Sequence, residues 1–493
     1  MGRVILICCF LVGLFSVACQ EKDTVQGGAE ADAHSPPDSV ATPDADRAVD
    51  VFTDTDTGTD TGTEVESDAA HSEPRGTVAV WMGLGEREGD EGCYFVGEMQ
   101  SDGTGCEIVR VHWDIDKEHL IDEVTVVADP GPGVGAWQPN VSGDGATLAF
   151  AQHSGGGLEI RTLGIVDGTP GAGAPVGGLE TGVWSWPNLG ADGRLTVSRG
   201  DKEPQCRQMN RNCSNDDCCK DVAHWSKAYQ LDGDFSAAPA VISDSGFSFQ
   251  DTYAHPTRPE FVAGHGKFDG VHPERYPVCT DQSDTPCSDV SMSPMPIVVN
   301  TETQQVWILQ LESTEAPYGT AATPMQLEGC AHLAWTEDGK HLICTEQGSH
   351  EVLPSDKTSR LYHFAFDPDS PPLSEGVVAT TAEPLFAHAA PSELFNIPEG
   401  KTCDVYHHKY AEFCGDSDLV VATIGCADCD APDAHSPCAL LDGTPTLLGD
   451  RVYLIDLKDP EAPRYFDLTG AVETSRGVPG NSLTSFTATC AAQ

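Results

Sequence analysis

Basic residues are scarce in this chain: 27 Lys and Arg stand against 77 Asp and Glu over 493 residues, a formal charge of −50. A surplus of that size repels phosphate backbones and anionic lipid, which excludes nucleic acid as a partner and electrostatic docking on a membrane. The acids can keep a surface solvated or hold divalent cations, and charge runs of this kind ordinarily do the first. Catalytic signatures are missing as well. There is no G-x-S-x-G elbow, Walker loop, H-E-x-x-H or dinucleotide fingerprint, which removes the commonest hydrolases and nucleotide enzymes. No stretch sustains an apolar period of 3.6 residues, so amphipathic helices are not expected. The chain is read as a binding protein before an enzyme.

What is present is β grammar. Trp137 to Phe150 reads WQPNVSGDGATLAF and returns as AHLAWTEDGKHLIC from Ala331 to Cys344. In each, an apolar run with Trp ends at Ser142 or Thr336, an Asp-Gly turn follows at 144–145 or 338–339, and an apolar strand leaves it. Asp-Gly tolerates the positive φ that hairpin turns need. Fainter copies start at Trp186, where Pro187-Asn188 echoes Pro139-Asn140, and at Ala254, where Pro and Arg replace the turn. These residues resemble the PD40 or TolB-like repeat, a WD40-like unit, which implies a β-propeller.

Arg3 precedes a 15-residue apolar run, too short for an ordinary membrane-spanning helix and built like a secretory signal. It ends Ser16-Val17-Ala18-Cys19, which resembles a bacterial lipoprotein lipobox with Ser16 in place of the usual Leu. That resemblance implies cleavage before Cys19 and lipidation on it, and Gln20 at the next position implies sorting to the outer membrane. An ordinary signal peptide cut nearby is the alternative. From Gln20 to Arg75 there are 15 acids and 3 bases, and Phe52 is the only aromatic. Such a segment buries too little apolar area to offset its ordering entropy and is expected to be a disordered, self-repelling tether. Its DTDTGTDTGTE run fails as a calcium loop, since an EF-hand register from Asp54 puts Gly58 and Val65 at ligand positions.

The organisation is therefore 1–19 signal, 20–75 linker and 76–493 β domain. In the last, inner hairpins are expected near 137–151, 184–199, 247–264, 331–346 and 385–424, and outer ones at 107–127, 158–166, 224–242, 296–311, 360–379 and 450–468. Six outer hairpins make the fold class all-β, a six-bladed β-propeller, with seven blades or two packed sandwiches as alternatives. The terminal run 482–490 is free to supply the inner strand of the first blade and so close the ring.

Beyond Cys8, Cys9 and Cys19, 16 cysteines fall into local even sets, as disulfides in an exported protein would. The bridge candidates are Cys93 with Cys106; Cys206, Cys213, Cys218 and Cys219; Cys279 with Cys287; and Cys403, Cys414, Cys426, Cys429, Cys438 and Cys490. Cys330 with Cys344 is the least secure pair. On a straight hairpin about Asp338-Gly339, Cys344 faces Leu333 and lies roughly 10 Å from Cys330, beyond a bridge's reach. The sets beginning at 93, 206, 279 and 426 interrupt the connection between second and third strand, so stapled acidic insertions are expected on one face, where loops carry recognition.

Two metal readings compete with disulfides and strand packing. Cys426, Cys429, His435 and Cys438 could hold zinc, though an oxidising compartment favours a disulfide loop. His255, His332 and His388 each follow Ala at the start of an inner strand and could converge on a central channel. The AHP at Ala254 resembles the channel histidines of oligogalacturonate lyases, which implies a divalent metal as the candidate cofactor. Three functions follow: a scaffold on the cell envelope for a protein or glycan partner, a metal-dependent propeller acting on polysaccharide, or an accessory subunit of an envelope complex.

Overall fold

The computed structural model describes residues 76–86, 106–129, 135–199, 227–242, 249–266, 295–313, 325–326, 330–346, 358–369, 377–397, 405–428 and 446–492, with short breaks inside several of these spans. All belong to the second of two units into which the chain divides, Ser72–Gln493. Cys19, the linker, Cys93, Cys206, Cys213, Cys218, Cys219, Cys279, Cys287, Cys403, Cys429, Cys438, His388 and His435 lie outside the described residues.

Strand pairing resolves into six antiparallel blades. From the inside outward, the second blade is Ala136–Val141, Thr147–Ser154, Gly157–Val166 and Ala174–Pro175. The third is Trp184–Leu189, Leu195–Arg199, Lys227–Leu231 and Ala240–Val241. The fourth is Gln250–Ala254, Phe261–Gly266, Met295–Asn300 and Val306–Ser313. The fifth is Cys330–Trp335, His341–Glu346, Leu361–Ala365 and Val377–Pro384. The sixth is Val405–Phe413, Leu419–Asp428, Thr446–Asp456 and Arg464–Asp467. The first blade takes its inner strand, Leu483–Ala492, from the C-terminus and continues outward through Thr77–Glu86, Glu107–Asp114 and Thr125–Ala128. Each inner strand packs against the next and the sixth packs against the first, so the ring is closed. Closure leaves no inner edge exposed for pairing with another chain.

Apolar side chains fill the wedges between blades. Val80, Val109 and Trp113 of the first blade meet Val421, Leu454 and Phe466 of the sixth in one cluster, and Trp307, Leu333 and Phe364 join fourth and fifth in another. The closing strand is held twice more. Cys414, just past the sixth inner strand, is bridged to Cys490 with Cα atoms 5.3 Å apart. Between the sixth blade and that strand lies a helix the apolar pattern did not announce, Leu468–Arg476, capped by Asp467 at its start and by Gly477 in the left-handed region at its end. Two turns are too few to write a sustained 3.6-residue period. Arg451 donates to Asp467 (2.7 Å) and Glu473 (3.0 Å), and Glu473 accepts from the Leu483 amide (3.0 Å), so one charged network ties helix to closing strand.

The Cys330–Cys344 expectation requires correction: the two form a disulfide with Cα atoms 5.6 Å apart. The hairpin is not straight. Trp335 and Ala334 oppose Leu342 and Ile343, but Ala331 opposes Thr345, so His332 and Leu333 together face Cys344. The extra residue is a β-bulge. It places Cys330 opposite Glu346, two along from Cys344 and hence on the same side of the sheet, where the sulfurs can meet.

Connections between first and second strands are short, five residues at 142–146, 190–194, 336–340 and 414–418 and six at 255–260. Between second and third strands they are long in five blades: 87–106, 200–226, 267–294, 347–360 and 429–445. Second strands all run the same way through the disc, so these five connections leave from one face.

Candidate functional site

The turns show how the repeat works. Gly145 has φ 68° and donates to the Ser142 carbonyl (2.7 Å), while Asp144 accepts from the Ser142 hydroxyl (2.6 Å) and the Ala146 amide (3.0 Å). Thr336, Asp338 and Gly339 repeat every one of these contacts, and the donors at Asp338 hold its carboxyl down at about 2. In the fourth blade His255 stands in the Ser position. Its Nδ1 accepts from the amides of Thr257 (3.2 Å) and Arg258 (3.0 Å), and its Nε2 donates to the Gly339 carbonyl (3.0 Å). His255 thus closes its own turn and grips the neighbouring one. With both nitrogens occupied and the ring at the opposite end of the strand, it is not brought together with His332.

The inner strands share a second device. Every one carries a bulge at the same register, and in five blades the first bulged residue is left-handed: Gln138 (φ 51°), Trp186 (53°), Asp251 (50°), His332 (54°) and Tyr410 (51°). Register shifts between Ser485 and Ala488 mark the sixth instance in the closing strand. Left-handed backbone is unfavourable for such residues, and here the ladder on both sides imposes it. Gln138, Trp186, Asp251 and Tyr410, with Asn140, Asn188, Tyr253 and Glu412 two residues further on, line a common space between the inner strands.

In the second and third blades these positions hold the ring together. Gln138 accepts from the Trp186 amide (2.8 Å), Asn140 from the Leu189 amide (2.7 Å), and Asn188 from the Ala254 amide (3.2 Å), each reaching into the following blade. That is the reason for the Pro-Asn echo in the sequence. Across the channel Tyr253 donates to Glu412 (3.2 Å), whose carboxyl burial pushes up to about 7.

In the fourth and fifth blades the same positions hold Asp251 and His332, and a third group joins them: His265, on the second strand of the fourth blade. All three are buried. His332 Nδ1 lies 2.9 Å and His265 Nδ1 3.5 Å from Asp251 Oδ2, and the three donor atoms fall within 4.8 Å of one another. Burial pushes Asp251 up to about 7 and His265 pulls it back down. Its Oδ1 is buried with no hydrogen-bond partner. The rings of Tyr410 and Trp186 stand 4.1 and 5.6 Å from that of His332.

Of the three histidines singled out from sequence, His332 is in this group, His255 is not, and His388 lies outside the described residues. Asp251 and His265 were missed because each is an isolated polar residue in a β-rich stretch. Only the bulge at Asp251 and the Gln250–His265 pairing bring them to one point. Cys106 is disulfide-bonded, as are Cys414 and Cys490.

The fold and this arrangement define a six-bladed β-propeller with an Asp-His-His group, able to hold a metal, at one end of its channel. No protein-family model matches the sequence, nor does any curated protein. The chain is similar to solved propellers at low scores. A putative TolB from Agrobacterium tumefaciens shows 9% identity over 85% of this chain and 99% of that one, with TM-score 0.38. TolB from Acinetobacter baumannii shows 11% identity over 71% and 61%, with TM-score 0.36. An oligogalacturonate lyase in complex with manganese shows 13% identity over 77% of each chain, with TM-score 0.35. The six-blade assignment rests on the strand pairing itself. No described helix is long and apolar enough to cross a membrane.

Proposed function

We propose that the chain is a lipid-anchored binding scaffold of the bacterial outer membrane, held by Cys19 and an acidic tether, that recognises an envelope or extracellular protein or glycan. The observation that carries the reading is the asymmetry of the disc. One face carries the short first-to-second strand connections, and five long second-to-third strand connections leave from the other. A rigid ring presenting variable loops on one side is the architecture of recognition. Ten of the sequence's bridge-candidate cysteines, 93, 106, 206, 213, 218, 219, 279, 287, 429 and 438, fall in those connections. Cross-links there would hold long loops in a binding-ready shape and lower the ordering cost of association.

The test is a pull-down from envelope extracts in mild detergent, comparing the full chain with one lacking Gln205–Lys220. Retention of a partner by the first and its loss by the second, at unchanged thermal midpoint, supports the scaffold; equal retention contradicts it. Uptake of labelled palmitate, abolished by Cys19→Ala, supports the anchor, and no uptake removes it.

A metal-dependent propeller acting on polysaccharide is the second reading, favoured by the Asp251–His265–His332 group. Cleavage of an acidic glycan by the purified chain would bring it ahead of the scaffold.

A further inference from the structure

We propose that Asp251, His265 and His332 form a binding site for one divalent first-row transition-metal ion, at the end of the ring from which the long second-to-third strand connections leave. The assignment does not depend on whether that face binds a partner or cleaves one.

Location follows from register. Gln250 begins the fourth inner strand and pairs with His265, one residue before the second strand ends and the 267–294 connection begins. His332 is two residues past the start of the fifth inner strand. All three therefore sit at the end from which the long connections leave.

The donor geometry suits a metal. Ligands about 2.1 Å from a common ion are separated by roughly 3.0–3.5 Å along octahedral or tetrahedral edges. The two separations from Asp251 Oδ2, 2.9 and 3.5 Å, already have that size. A simple ion pair accounts for the site less well. It leaves Asp251 Oδ1 buried without a partner, a costly state for a carboxylate, which a cation relieves.

His265 is fixed from both sides. The His332 amide approaches its Nδ1 (3.4 Å), and the Gln250 side-chain nitrogen lies 2.8 Å from its Nε2. A ligating imidazole is ordered by the polar group held at its second nitrogen. Gln250 is thus a positioning residue for His265.

Two imidazoles and one carboxylate select the class of ion. The two imidazoles favour zinc or iron, and the carboxylate keeps manganese in range, whereas calcium and magnesium take all-oxygen ligand sets. Three protein ligands leave at least one coordination position for a further ligand.

Purified oxidised chain is incubated separately with zinc, manganese, calcium or magnesium chloride, desalted, and analysed for bound metal and thermal midpoint. The expected result is one zinc or manganese per chain, a midpoint raised by several degrees and reversed by chelator, and no response to calcium or magnesium at the same concentration. Asp251→Asn and His332→Ala should each abolish retention, and Gln250→Leu should weaken affinity tenfold or more. The wild-type chain decides even where a variant fails to fold. No retained ion and no midpoint shift would overturn the site, and so would retention undiminished in folded Asp251→Asn, which would place the ion among the chain's other acids.

Discussion

The hairpins of the second and fifth blades, Ala136–Ser154 and Cys330–Glu346, begin from nearly the same instructions and end in different roles. Both turn on Asp-Gly with the same hydrogen bonds, and both carry a left-handed bulge six residues before the turn glycine's preceding aspartate, at Gln138 and His332. What differs is what surrounds them. The turn of the second blade is open around Gly145, whereas the fifth-blade turn lies under the His255 ring. The second blade spends its channel positions on hydrogen bonds into the third, through Gln138 and Asn140. The fifth has Ala334 where Asn140 stands, and puts an imidazole beside a carboxylate where Gln138 stands. A repeat's shared residues specify the blade, and its departures mark where neighbours and chemistry intrude.

The comparison can be broken by substitution. Gly339→Ala should cost the most, about 3 kcal/mol or more, because a Cβ there overlaps His255 in addition to the strain of φ 69°. Urea unfolding measures it; a loss no greater than that of Gly145→Ala would mean the His255 contact does not form. Replacing both Cys330 and Cys344 with Ser should lower stability by about 2–3 kcal/mol, the effect of opening a short loop closed by a bridge. The second blade has no such bridge to lose.

At the register of Asn140 the sixth blade carries Glu412, and there the consequence is a pH dependence. Its carboxyl is raised from 4.5 to about 7 by burial, so between those values the folded chain keeps a proton that the unfolded chain releases. The group's contribution to stability therefore falls as pH rises through that window and is lowest above it. Glu412→Gln, which does not titrate, should exceed wild type by roughly 2 kcal/mol at pH 8 and match it near pH 4. An advantage independent of pH would contradict the buried acid. Asn140→Ala should cost about 1–2 kcal/mol, by leaving the buried Leu189 amide without its acceptor. The smallest effect is expected at Gly145→Ala, about 1 kcal/mol from φ alone.

Much of the ring was legible because propeller strands are local. Turn glycines, β-branched runs and the spare C-terminal strand write themselves in consecutive residues, and the blade count and closure follow from them. The bulges were not legible, since a single extra residue leaves no mark on composition. Missing them made Cys330–Cys344 look unreachable and hid the alignment of Gln138, Trp186, Asp251, His332 and Tyr410. The histidines were separable in part. His332 stands four residues before Thr336, whereas His255 occupies the Ser position itself, so the two lie at different depths. What stayed hidden is the company of His332, because only strand pairing brings Asp251 and His265 to it.

The central claim is that residues 76–493 form a closed ring whose last strand completes its first blade. Cys414 and Cys490 are 76 residues apart in sequence and meet only if that closure occurs. Peptide mapping of the non-reduced protein by mass spectrometry tests this directly. The account predicts one cross-linked peptide pair joining Cys414 to Cys490; either cysteine found free, or bridged to any other, would contradict it.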